Sequence, residues 1–251
     1  MDDTPLLPPD PLPEAPGLPW EAPGPLLPRA WATLKVILQD PAGAGARLGA
    51  RKALLPALTF AAWVGLPFRV LEQVLVVLWT PLDGGVQMAL LRKAGLPVPP
   101  PPTPEQLEMA RTLRGVQGVV AVALAPFLLV LGYLLVGLLA HGGLWLFRGA
   151  SRERGLEATF RSVIFVGAAT AWVWCLVPAG LLLPESLQGL YLVANLGLTL
   201  GVMSYQGLVL AHAHGTEPWR GICGVLVPWV ALFCCLGACL GAALGAAGRV
   251  G

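Results

Sequence analysis

The chain has 251 residues, 56% of them hydrophobic and 12% charged, a formal net charge of +2 and a mean hydropathy of +0.71. A soluble domain carries about 25% charged residues, so most of this surface is built to meet lipid or other helices, and a charge of +2 leaves no nucleic-acid footprint. Five cysteines, all in apolar runs and none in a Cys-x-x-Cys pair, exclude a disulfide framework and read as small buried side chains.

Residues 1–29 read as a disordered, proline-rich cytoplasmic tail. Ten prolines fall in residues 1–28, with four acidic residues before Trp20, and such a segment buries too little apolar surface to offset its ordering entropy. Its start is acidic and proline-rich rather than basic then apolar, so no signal peptide is expected. Pro19-Trp20-Glu21 reads as an interfacial anchor, with a docking motif as the alternative.

Residues 30–52 read as an interfacial helix and linker. Trp31, Leu34, Ile37 and Leu38 fall near one helical face of AWATLKVILQ, with Thr33 and Lys35 elsewhere, the pattern of a short amphipathic helix lying on a membrane. Asp40-Pro41 ends it, because proline disfavours helix in the residue before it.

Residues 53–246 read as a membrane domain of five spans, at about 53–80, 116–147, 158–182, 187–213 and 222–246. Each is long enough to cross a hydrocarbon core of roughly 30 Å. The first is interrupted by Pro56, Pro67, Arg69 and Glu72. It reads as one long tilted span, with a dip followed by an interfacial helix as the alternative. Arg69 and Glu72 are three apart and share a helix face, so they read as an ion pair, although a charge within a span is also a functional candidate. The long loop carries a run of prolines between Val98 and Pro104, a stiff extended spacer. Thr103, Pro104 and Gln106 then spell a capping box with proline at the first helical position.

Orientation follows from the basic residues. With the N-terminus inside, Arg29, Lys35, Arg47, Arg51, Lys52, Arg148, Arg152, Arg154, Arg161 and Arg220 are cytoplasmic. Arg92, Lys93, Arg111, Arg114 and Arg249 are outside. Ten against five places the N-terminus and the arginine-rich turn between the second and third spans in the cytoplasm.

Chemistry-bearing residues are few. His141 ends the second span, and His212 and His214 end the fourth at a similar depth. Three imidazoles at one level fit interhelical hydrogen bonding, proton relay or zinc binding. Hydrogen bonding at helix ends is the expected use, because His212 and His214 lie about 200° apart on a helix. No Gly-x-Ser-x-Gly, His-Glu-x-x-His, Walker loop or dinucleotide fingerprint is present. No catalytic, cofactor-binding or metal-ligating residue is assigned. Gly237, Gly241 and Gly245 recur every four residues, a doubled Gly-x-x-x-Gly face for helix packing.

Several of these residues together resemble the Yip family (Ypt-interacting proteins), especially its bacterial branch: Pro19-Trp20-Glu21, Asp40-Pro41, His141, Arg148-Gly149, Thr159, Arg161 and Ala211-His212. The resemblance implies a cytoplasmic N-terminal segment and five spans in a bacterial inner membrane. It also implies a non-enzymatic role in membrane organisation, trafficking or partner scaffolding. The Asp-Leu-Tyr-Gly-Pro motif of eukaryotic members is absent, so Rab binding is not implied. Expected partners are the lipid bilayer and a membrane-protein partner or a second copy of the chain, with no nucleic acid and no cofactor. Two alternatives come from other classes. One is a small transporter or ion-permeation protein using Arg69, Glu72 and the histidines; the other is a lipid-directed membrane enzyme with His141 as base.

Overall fold

The computed structural model describes residues 17–79, 100 and 102–247. Helix dominates, and no strand occurs among the described residues. The helices are α1 (Leu26–Gln39), α2 (Pro41–Ala50), α3 (Leu55–Phe60), α4 (Leu66–Trp79), α5 (Pro104–Leu146), α6 (Gly155–Ala169), α7 (Glu185–His214) and α8 (Pro218–Ala247). A short 3-10 turn at Pro19–Glu21 precedes them, and a longer one at Ala171–Leu182 follows α6.

Four helical stretches are long and apolar enough to cross a membrane, and a fifth if the bent pair Gly155–Ala169 and Ala171–Gly180 forms one span. Their outer faces are apolar and open: Val119, Phe127, Leu135, Leu190, Val193 and Phe233 are all exposed. So much contiguous apolar surface is not left to water, and it is compatible with an integral membrane protein. The third expected span is therefore two pieces, bent by 48°. Its second half is wound as a 3-10 helix around Pro178, whose ring and missing N–H oppose regular helix.

α3 and α4 are joined without a break by a π-helical stretch at Ala61–Gly65. The Leu66 N–H reaches back to the Ala61 carbonyl, one residue further than an α-helix requires. A π-bulge of this kind accommodates the extra residue just ahead of Pro67 and lets the span continue to Leu78. α5 begins where the sequence places it. Thr103 Oγ1 accepts from the Gln106 N–H at 3.3 Å, and the Gln106 side chain accepts from the Thr103 N–H at 2.8 Å. With 43 residues α5 is about 65 Å long at 1.5 Å per residue, so it overshoots any bilayer core.

The core lies at one end of the bundle, where Ile37 of α1, Leu48 of α2, Phe60 of α3, Leu144 of α5, Phe165 of α6 and Leu210 of α7 are all fully buried. Bare glycines allow these helices to cross closely. A Cβ on Gly45 of α2 would stand 2.5 Å from His212 Cβ of α7, and one on Gly207 of α7 would stand 2.5 Å from Ile222 Cα of α8. Gly237, Gly241 and Gly245 lie on α8, but their surroundings fall outside the described residues.

Three expectations are revised. The tail is packed from Gly17 onward, with Leu18 and Trp20 buried and the Glu21 side chain almost fully covered. Residues 1–16 lie outside the described residues, as does most of the long loop up to Pro99. α1 turns Thr33 and Ile37 inward and leaves Leu27, Trp31 and Leu38 exposed, so the expected single apolar face is split. On its inward face the Thr33 hydroxyl accepts from the Trp20 N–H at 2.7 Å. Cys234, Cys235 and Cys239 are exposed on α8 rather than buried, a placement that lipid tolerates as readily as a core does.

Candidate functional site: the arginine and histidine cluster at the end of the bundle

A helix leaves its last four carbonyls without partners, and arginine near that end satisfies them and opposes the negative pole of the dipole. Two helices here end on arginines from other segments, and a third arginine holds the turn beyond another helix. Arg161 of α6 donates from Nε to the Leu48 carbonyl at 3.2 Å, in the last turn of α2, and from Nη1 to the Ala53 carbonyl at 2.5 Å. Arg154 donates from Nη1 to the His212 and Ala213 carbonyls of α7 at 3.1 and 2.7 Å. Arg220 of α8 donates from Nη1 to the Arg148 carbonyl at 3.0 Å, just beyond α5. Three of the arginines counted in the sequence for sidedness are therefore staples between segments.

Arg161 is the most deeply placed of them, with no exposed surface. Its Nη2 donates to Glu21 Oε1 at 2.6 Å, and the side chains are 0% and 3% exposed. The other Glu21 oxygen accepts from the Leu18 N–H at 3.0 Å, closing the 3-10 turn. Trp20 beside it is held on every polar edge. Its backbone N–H donates to Thr33 Oγ1 at 2.7 Å, and its indole Nε1–H donates to Thr59 Oγ1 at 3.1 Å. Its carbonyl accepts from Arg29, and its ring meets Phe60 edge-on at 5.4 Å. Phe60 continues the stack to Phe165 at 5.0 Å, one turn along α6 from Arg161. Pro19-Trp20-Glu21 is thus a docked plug. In the sequence Glu21 stands out only as part of Pro19-Trp20-Glu21, and nothing there signals its pairing with Arg161.

The second group joins α5, α6 and α7. Thr159 Oγ1 lies 2.9 Å from His141 Nδ1 and 2.9 Å from His214 Nε2. The Ser151 N–H donates to His214 Nδ1 at 3.1 Å. With both rings neutral and the threonine hydrogen paired, one arrangement of protons satisfies these contacts. An amide N–H only donates, so His214 Nδ1 accepts and its proton sits on Nε2, donating to Thr159. The threonine proton then goes to His141 Nδ1, and the remaining His141 proton is on Nε2. His212 takes no part in this chain; its Cβ abuts Gly45 instead. Among the described residues no three His, Cys, Asp or Glu side chains gather as a metal cage.

No protein-family model, curated protein or solved structure matches this chain.

Two cavities lie in the bundle, one of them beside the histidine group. One, of about 420 Å³, is lined by His141, Trp145, Arg148, Ser151, Arg152 and Gly155 among others. Arg148 sits there at φ 55°, a left-handed backbone that a side chain disfavours. The helix stop imposes it: the Gly149 N–H reaches back to the Leu144 carbonyl at 2.8 Å, as in a Schellman turn. The other cavity, of about 610 Å³, lies between the spans and is mostly apolar, with Arg69, Glu72, Thr170 and Gln206 on its wall. Arg69 Nη1 and Glu72 Oε2 pair there at 2.6 Å, and the Arg69 guanidinium stands 5.6 Å from the Trp174 ring centroid. The charged pair and the histidines therefore line different spaces.

Proposed function

We propose that the chain is a non-enzymatic multi-pass protein of the Yip type that organises membrane or partner proteins, in a bacterial inner membrane with its N-terminus cytoplasmic. The observation that carries this reading is convergence. Trp20, Glu21, His141, Arg148, Thr159, Arg161 and His212, by which the chain resembles that family, gather at one end of the bundle. Most of them are spent on joining segments: plug to α6, α5 to α7 through α6, and α2 to α7. A rigid, stapled end presenting α1 is a platform. α1 carries Leu27, Trp31 and Leu38 outward, with Lys35 Nζ 5.4 Å from the Trp31 ring centroid. That is the composition of a helix held at the headgroup level. A homo-oligomer or a membrane-protein partner would meet the bundle beside it.

A transport reading is favoured by one observation, the cavity of about 610 Å³ that opens on Arg69 and Glu72. One reconstitution separates the two readings. The full chain is placed in liposomes carrying a pH-sensitive dye, with vesicle shape followed by electron cryomicroscopy. The organising role predicts altered vesicle curvature or clustering that Trp20→Ala abolishes, and no flux beyond that of empty liposomes. Gradient-driven flux that disappears in Glu72→Gln overturns it in favour of transport.

A further inference from the structure

The arginine-rich end of the bundle holds two guanidiniums that the staples do not use. Arg154, Arg161 and Arg220 are committed to carbonyls and Glu21. Arg148 and Arg152 side chains have no hydrogen-bond or carboxylate partner among the described residues. Both line the same cavity of about 420 Å³. Glu153 and Glu157, the acidic residues of the same turn, are not part of its wall. The proton chain through Thr159 adds a third donor. Because Ser151 fixes His214, and His214 fixes Thr159, His141 is left with its N–H on Nε2, on the ring edge away from Thr159. His141 lines the cavity too. The first turn of α6 contributes Gly155, so the positive pole of that helix closes the wall.

We infer that this cavity binds a phosphate-bearing anion, held between Arg148 and Arg152 with the His141 Nε2–H as a third donor. The two guanidiniums and the His141 Nε2–H are donors, the Ser151 hydroxyl can donate beside them, and arginine forks match phosphate oxygens in pairs. The volume is within the range of about 300–1,000 Å³ usual for small-ligand sites. Trp145 on the rim and Leu146 beside it are 74% and 63% exposed. An apolar rim beside a basic cavity at a helix end suits an anionic phospholipid, with its headgroup in the cavity and its chains along α5. The inference stands apart from the organising role proposed above, because it concerns binding and not membrane shape.

The test uses the full chain in nanodiscs of phosphatidylcholine with or without phosphatidylglycerol. Lipid kept after transfer to detergent is read by native mass spectrometry, and inorganic phosphate is titrated by calorimetry in detergent. The variant is R148G/R152Q, in which glycine suits the left-handed backbone and the second change is on an exposed side chain. K35Q/R47Q removes the same charge elsewhere. Wild type is expected to keep one phosphatidylglycerol in preference to phosphatidylcholine. R148G/R152Q should keep at least ten-fold less, with an unchanged or higher melting temperature without added lipid, while K35Q/R47Q behaves as wild type. Phosphate binding that R148G/R152Q abolishes supports the site with the phosphate group alone as ligand. Lipid retention without phosphate binding supports it with the whole lipid as ligand. Equal losses in both double variants, undiminished retention in R148G/R152Q, or no selective binding by wild type of either probe overturns it.

Discussion

Glu21 and Arg161 stand 140 residues apart in the chain and 2.6 Å apart in the fold, with almost no exposed surface on either side chain. The pair joins the N-terminal plug to the middle of α6. Arg161→Leu strands the Glu21 carboxylate and two carbonyls in a dry interior, which costs roughly 3–5 kcal/mol. Glu21→Gln keeps the shape and one acceptor, and costs roughly 1–3 kcal/mol. Replacing both by leucine should cost less than the two leucine single changes added together, since no charge is left unpaired. Melting in detergent, followed by tryptophan fluorescence, gives all the values. Wild-type melting of Arg161→Leu would show that the pair does not hold the plug.

Thr159 is the hinge of the histidine chain. Thr159→Val matches the volume but offers no hydroxyl, so His141 Nδ1 and His214 Nε2 each lose their partner. The expected loss is about 1–3 kcal/mol for each group left buried and unbonded. Thr159→Ser keeps the hydroxyl and should lie within about 1 kcal/mol of wild type, the cost of one deleted methyl group. Valine and serine variants of equal stability would mean that the hydroxyl bridge is idle.

Gly142 and Gly143 are adjacent in sequence and opposite in surroundings. A Cβ on Gly143 would meet the Gly224 backbone of α8, with Cα at 2.9 Å, whereas one on Gly142 has nothing within 4 Å. Gly143→Ala should therefore force α5 and α8 apart and lose about 1–3 kcal/mol. Gly142→Ala should gain about 0.5–1 kcal/mol from helix propensity alone. A melting series in one detergent decides it. Equal responses at the two positions would contradict the crossing of α5 and α8.

Arg148 carries its left-handed backbone without a glycine's freedom. The strain is worth about 1–2 kcal/mol, and glycine gives back about 0.5–1 kcal/mol in unfolded-chain entropy. Arg148→Gly should thus melt higher, by about 0.5–1 kcal/mol of stability. A residue kept at a stability cost is kept for its side chain, consistent with a role in the adjoining cavity. A lower melting temperature would show that the Arg148 side chain itself holds the turn.

Hydrophobic run length located the long apolar helices, though not the 48° bend inside the third run, because a segment in lipid must satisfy every backbone group within itself and a long apolar helix does so. The Thr103 and Gln106 cap was equally legible, since a capping box involves neighbours three residues apart. So was the Arg69–Glu72 pairing, for the same reason of local spacing. What the sequence did not carry was which residue meets which across the bundle. Arg154, Arg161 and Arg220 count equally as positive charges along the chain; only the fold sends one to the end of α7, one to the end of α2 and one to the turn beyond α5. Trp20 reads as an anchor in isolation and becomes a plug because Thr33, Thr59 and Phe60 converge on it from α1 and α3. His214 rather than His212 joins His141, because the rotation of α7 is set by Gly45 and Gly49 of α2 pressing against its other face. Local periodicity fixes an element and its ends, but the rotation of one helix against another is set by packing between residues far apart in sequence. The chemistry at the end of this bundle depends on that rotation.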